Sequence, residues 1–101
     1  FEEAILDDFT IEIARHLRRV LPEAVARLDD NALTVSLGKR LAQALSYGLS
    51  DRLDVLRYLE CSYVLAWTDA GPDEEAHTVL ARRELRPDER VDMIERRTES
   101  L

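Results

Sequence analysis

Apolar residues recur at spacings of three and four along most of the chain. No run alternates apolar and polar residues between turn signals, so the pattern predicts helices and no strand. Ile5, Phe9, Ile13, Leu17 and Val20 form one stripe over residues 2–21, with Leu6, His16 and Leu21 at its edges. Glu2, Glu3, Asp7 and Asp8 lie towards the start of this segment and Arg15, Arg18 and Arg19 towards its end, which complements a helix dipole. Pro22 suits the first turn of a short second helix, PEAVARL, that packs through Ala24, Val25 and Leu28. Residues 32–47 should form the next helix, with Asp30 or Asn31 as its N-cap and Leu33, Leu37, Leu41, Ala44 and Leu45 facing inward. Gly38 in its interior costs about 1 kcal/mol relative to Ala, which either close approach by another helix or plain tolerance accounts for.

The stretch Tyr47–Trp67 organises the rest. Gly48 fits the left-handed residue that ends a helix, and Ser50 the N-cap of the one that follows. Leu49 can staple onto Leu53, and Asp51 and Asp54 favour the positive end of the dipole. The segment begins amphipathic, then carries no charge between Glu60 and Asp69, as expected of a central helix at about 50–67 that other helices cover. Thr68–Pro72 reads as a loop, and Pro72 and Asp73 can open a helix reaching about Arg83, with Ala76, Val79 and Leu80 inward. Pro87 begins a last helix that turns Val91, Ile94 and Met93 to the core. The expected fold class is all-α, a compact bundle of five to six helices in one domain spanning residues 1–101.

Composition agrees. A chain of 101 residues, 46% apolar and 35% charged, with three glycines and three prolines, has room for one modest core and few turns. The net charge of −7 is uneven: −4 over residues 1–30, +1 over 31–68 and −4 over 69–101. Repulsion from phosphate argues against nucleic acid and against an anionic membrane surface as partners. The pair Leu33–Tyr47 and Ser50–Trp67 has the outline of a helix-turn-helix, but the acidic balance speaks against DNA. A basic protein surface suits this charge. One cysteine, Cys61, allows no internal disulfide and fits a reducing cytoplasm. No leader or membrane span is read from the sequence, and the first residue, Phe1, suggests a trimmed N-terminus.

Reactive chemistry is thinly represented. His16 borders an apolar stripe and His77 follows Asp73-Glu74-Glu75, and neither has ligand spacing around it. Cys61 lacks a nearby base and sits among apolar residues, so no metal, cofactor or catalytic group is assigned. Tyr47, Tyr58, Tyr63 and Trp67 serve either as core packing with polar tips at its edge or as anchors for a partner. Arg40, Arg57, Tyr58 and Trp67, aromatic and basic together, are the candidate partner-binding residues.

The runs FTIEIARHLRRVLPEA, LGKRLAQALSYGLSDRLDVLRYLECSYVLA and RRELRPDERVDMIERRTESL, in that order, cover nearly the whole chain. Together they resemble small all-helical proteins encoded in bacterial type VI secretion and polymorphic toxin gene clusters. Tyr47-Gly48-Leu49, Asp54-Val55 and Arg57-Tyr58 carry most of the likeness. The chain departs from the pattern at Ala66-Trp67-Thr68-Asp69, where the family has a glycine and an acidic-aromatic turn. The resemblance implies a non-enzymatic interaction module, an adaptor, effector chaperone or immunity protein whose partner is a secreted effector or spike-tip protein. The alternatives are a small hydrolase or toxin using His16 or His77 with carboxylates, and a purely structural dimerisation domain.

Overall fold

Helices end where the chain supplies a donor for their last carbonyls, and that sets the boundaries seen here. The computed structural model describes residues 2–67 and 71–99, and of residues 2–8 the backbone alone. Within them the regular elements are five α-helices: α1 (Glu2–Val20), α2 (Asp30–Ser46), α3 (Arg52–Val64), α4 (Glu74–Leu80) and α5 (Pro87–Glu99). The protein is an all-α bundle with a radius of gyration of 13.0 Å, the value expected of a compact chain of about 100 residues.

In α1 the stripe holds at Ile13 and Leu17, which are buried, and at Phe9, which is half-buried. It stops there: Val20 is 45% exposed, because the last helical turn closes at Leu21 and the chain swings away at Pro22. Ile5 and Leu6 lie outside the described side chains. Residues 22–28 do not form the expected helix. They make successive tight turns, with backbone bonds from Ala24 to Leu21, Ala26 to Glu23 and Leu28 to Val25. The Arg18 guanidinium donates to the carbonyls of Val25 and Leu28. Val25 is buried in the core and Leu28 packs half-buried against it; Ala24 stays exposed.

The N-cap of α2 is Asp29, one or two residues earlier than expected, and its Oδ1 accepts from the Ala32 amide at 2.7 Å. Leu33, Leu37, Leu41 and Ala44 point inward, but Leu45 is 49% exposed. One residue rotates a side chain by about 100°, which carries Leu45 off the face Ala44 occupies. A Cβ on Gly38 would meet nothing within 4 Å, so no other helix of the chain approaches that glycine closely.

Two turns of one design follow. At the end of α2 the Leu49 amide donates to Ala44 O and the Gly48 amide to Leu45 O, with Gly48 at φ 83°. At the end of α3 Trp67 donates to Ser62 O and Ala66 to Tyr63 O, with Ala66 at φ 57°. Both are Schellman closures, but only the first has the glycine that the left-handed position favours. The second ends α3 at Val64, short of the expected Trp67. Asp51, not Ser50, caps α3, its Oδ1 accepting from Leu53 and Asp54. Leu49 is fully buried while Leu53 is 61% exposed, so the staple between them does not form.

Beyond Trp67, Thr68–Ala70 lie outside the described residues. Helix α4 opens after Asp73 and stops at Leu80 rather than Arg83. Its terminal carbonyl is taken by the Arg90 guanidinium, 2.7 Å away. Pro87 is the first residue of α5, whose Val91 and Ile94 are buried; Met93 is only half-buried.

Helix α3 packs on both α2 and α5, α1 packs on α2, and α4 on α5. Val55, Tyr58, Leu59, Cys61 and Ser62 of α3 are at most 3% exposed. Its ends, Leu53 and Val64, reach solvent. The central helix is thus covered along its middle and bare at both tips.

Three glycine–alanine exchanges read these backbone states directly. Gly48→Ala forces a left-handed alanine whose Cβ meets Arg83 Nη1 at 2.6 Å and should destabilise by about 1–2 kcal/mol. Ala66→Gly relieves strain and should stabilise by up to about 1 kcal/mol. Gly38→Ala should also stabilise, by about 0.5–1 kcal/mol. Urea denaturation of the three variants against wild type checks all three signs.

Candidate functional site

The four side chains selected from the sequence do not form one exposed surface. Arg40 is 6%, Tyr58 1% and Trp67 7% exposed, and Arg57 is half-buried. Each is spent on internal contacts. Arg40 reaches from α2 to the end of α3, where Nη1 donates to Ser62 O at 3.0 Å and Nη2 to Trp67 O at 2.6 Å. Its Nε donates to Ser36 Oγ at 3.2 Å, and Ser36 shares a 2.7 Å hydrogen bond with the Tyr63 hydroxyl. The guanidinium lies 4.1 Å from the centroid of the Tyr63 ring, within range of cation–π attraction. Helix spacing places Ser36 and Arg40 on one face of α2, and the α3 closure turns the Ser62 and Trp67 carbonyls towards them.

Tyr58 stacks obliquely between Trp67, 5.5 Å away, and Tyr47, 6.3 Å away. Burial pushes its phenol well above the ordinary tyrosine value. Arg57 is the node between α3 and α5. Its guanidinium pairs with Asp92 and with Glu95, the latter at 2.6 Å, and lies 3.7 Å from Asp54. The hydrogen bonds it donates to Glu95 and Asp92 raise its already high basicity further, so it remains charged throughout the working range.

The histidines separate. His77 Nδ1 shares a 2.7 Å hydrogen bond with the Tyr47 hydroxyl, and its neighbouring carboxylates are not its partners in that bond. His16 Nε2 lies 2.9 Å from Glu60 Oε1, joining α1 to α3, with Arg19 Nη2 at 3.5 Å from Nδ1. Sequence reading placed His16 at a stripe edge but had no signal for Glu60, 44 residues away. This is the histidine–acid proximity that a hydrolase reading needs. The two side chains are 29% and 34% exposed and line neither of the two grooves described below. Among the described residues, no group of His, Cys, Asp and Glu side chains is arranged to hold a metal ion.

Several apolar side chains reach the surface among the charged ones. Val20, Leu21, Pro22, Glu23, Ala24, Tyr63 and Val64 line an open groove of about 620 Å³, between the connector after α1 and the end of α3. A smaller groove of about 270 Å³ runs between α1 and α2, lined by Ile11, Ala14, Arg15, Arg18, Asp30 and Thr34. Ile11, Val35, Leu45 and Leu53 are also large apolar side chains at least 44% exposed. Among the described residues no helix is long and apolar enough to cross a membrane.

Compared with known proteins, the chain matches no family model, no curated protein and no solved structure.

Two electrostatic outcomes follow from these contacts. Burial, then repulsion from Asp51, pushes the Asp54 carboxyl above its ordinary value, whereas a hydrogen bond from Arg97 holds Asp73 below its own. A raised carboxyl binds its proton more tightly when folded, so Asp54 favours the fold below its folded pKa and that advantage is lost as pH rises through it. Asp73 favours the fold above its unfolded value and loses that contribution as pH falls through its lowered one. At pH 7 Asp54→Asn should be neutral or stabilising and Asp73→Asn destabilising, the latter by no more than about 1 kcal/mol because the pair is partly exposed. Parallel denaturation at pH 7 and pH 3 tests both signs. Burial also pushes the Cys61 thiol up to about 12. A thiol reagent at pH 8 should leave the native chain unmodified and label one site per chain in denaturant.

Proposed function

We propose that this protein is a non-enzymatic interaction module that receives a protein partner in the groove between the α1–α2 connector and the end of α3. The observation that carries the reading is that Val20 and Val64 stand 45% and 36% exposed on that groove, in a molecule whose Arg40, Tyr58, Tyr63 and Trp67 are buried. Exposed apolar concavities are where protein partners dock. The chain's −7 charge favours a partner whose apolar segment is flanked by basic residues, since long-range attraction raises the rate of encounter. The resemblance to helical proteins of type VI secretion and toxin gene clusters supplies the setting: an adaptor, effector chaperone or immunity protein acting in the cytoplasm on a secreted effector or spike-tip protein.

Co-expression of the full-length protein with the products of its neighbouring genes, followed by affinity purification, tests this reading. Wild type should retain one of these products, and Val20→Glu and Val64→Glu should lose it while keeping the wild-type helical circular dichroism. Retention by both variants would move the docking site elsewhere, and no retention by wild type would remove the accessory role.

The hydrolase reading keeps one specific contact, the His16–Glu60 pair. As an interhelical tie, this pair should give a coupling of about 0.2–1 kcal/mol in a double-mutant cycle of His16→Ala and Glu60→Gln. Hydrolytic turnover abolished by either substitution would instead make it catalytic.

A further inference from the structure

Helix α2 carries a second apolar stripe, directly opposite the one it buries. Its inward positions are Leu33, Ser36, Leu37, Arg40, Leu41 and Ala44. On the far side stand Val35, Gly38, Ala42 and Leu45, all exposed, with Val35 at 51% and Leu45 at 49%. At 3.6 residues per turn these four fall within an arc of roughly 80°. They follow the four–three–four spacing of a helix-pairing seam once Asn31 is included. Nothing inside the chain requires this face to be apolar, and a Cβ at Gly38 would meet open space.

The order of sizes along the seam identifies its occupant. Val35 and Leu45 lie five residues before and after Arg40, and Gly38 and Ala42 lie two before and after it. The sequence large, small, small, large reads the same in both directions about one point. A two-fold symmetric contact needs such a surface, because residue i must meet residue j while j meets i. We infer that α2 pairs antiparallel with α2 of a second copy of this chain, Val35 of each packing on Leu45 of the other and Gly38 on Ala42. Small residues at the centre let the backbones approach, and the large ones close the ends of the contact.

Charge points to the same occupant. Each copy carries −7, concentrated in its two terminal segments, so two copies meet with least repulsion on a face without formal charge. The five seam positions carry none in a chain that is 35% charged, and Lys39 lies at the rim. Antiparallel alignment also sets the two helix dipoles in opposition. Area limits the strength. A helix of 17 residues is about 25 Å long. A strip of that length and one side chain wide buries on the order of 500 Å² over both copies, below the roughly 1,200 Å² of a stable complex. The dimer is weak and concentration-dependent.

Sedimentation equilibrium of the full chain from micromolar to millimolar concentration reads this out. Wild type should pass reversibly from monomer to dimer. Val35→Lys and Leu45→Glu should each weaken association by on the order of tenfold or more, by placing an unpaired charge in the seam. The combined Val35→Lys/Leu45→Glu chain should recover dimerisation, since each lysine then faces a glutamate across the two-fold axis. Both sites are half exposed, and circular dichroism confirms that the variants are folded. A wild-type chain that stays monomeric to millimolar concentration overturns the proposal. Dimers unaffected by Leu45→Glu place the contact on another face, and a double variant that stays monomeric rejects the antiparallel register.

Discussion

Arginine donors at chain ends and turns are what the rest of this structure depends on. Five short helices in a small bundle leave many terminal carbonyls near the interior, where water does not reach them. Three guanidiniums meet that need, and a fourth, Arg83, does the same at the surface. Arg18 holds the connector carbonyls of Val25 and Leu28, and Arg40 takes those of Ser62 and Trp67 beyond α3. Arg83 takes Ser46 O, and Arg90 bridges Tyr47 O and Leu80 O at the ends of α2 and α4. A cation at a helix C-terminus is favoured by the dipole as well as by its hydrogen bonds. Arg90 is 3% exposed and its Nε has no partner, a cost offset by two carbonyl contacts that tie α5 to both helix ends.

This arrangement changes how the aromatic and basic residues bear on function. Arg40, Tyr58 and Trp67 look like interface anchors in a linear sequence because side chains suited to binding a partner are equally suited to binding the chain's own carbonyls and rings. In the fold they join α2 to the end of α3, and Arg57 joins α3 to α5. The large apolar side chains left exposed include valines and leucines at helix tips and on the outer face of α2. The groove beside Val64 and the seam through Val35 and Leu45 share no residue.

The two Schellman closures show how a local rule is met at different cost. Gly48 satisfies it freely and was legible as a terminator from composition alone. Ala66 satisfies it with strain, and an alanine gives no terminator signal in a linear reading. The expected end of α3 at Trp67 therefore lay three residues beyond the observed one. The same logic applies to the caps. Asp29 and Asp51 prevailed over Asp30, Asn31 and Ser50 because a carboxylate beside two candidate helix starts can choose its amides only when tertiary packing has fixed the helix phase.

Periodicity by itself determined the helical class, the inward residues Leu17, Leu33, Leu37, Leu80 and Ile94, and the importance of the segment around Tyr58, because a 3.6-residue repeat of apolar side chains has one economical way to be buried. Charge counting likewise made the acidic termini visible at once. Tertiary structure alone decided which polar groups face each other: His16 with Glu60, Arg40 with the end of α3, Arg90 with two helix ends. These pairings join residues far apart in the chain, and their partners are often backbone carbonyls, which every residue carries and no sequence distinguishes. It also decided that Leu45, Leu53 and Val64 lie outside, since a hydrophobic residue near a helix tip is buried only if another element happens to reach it.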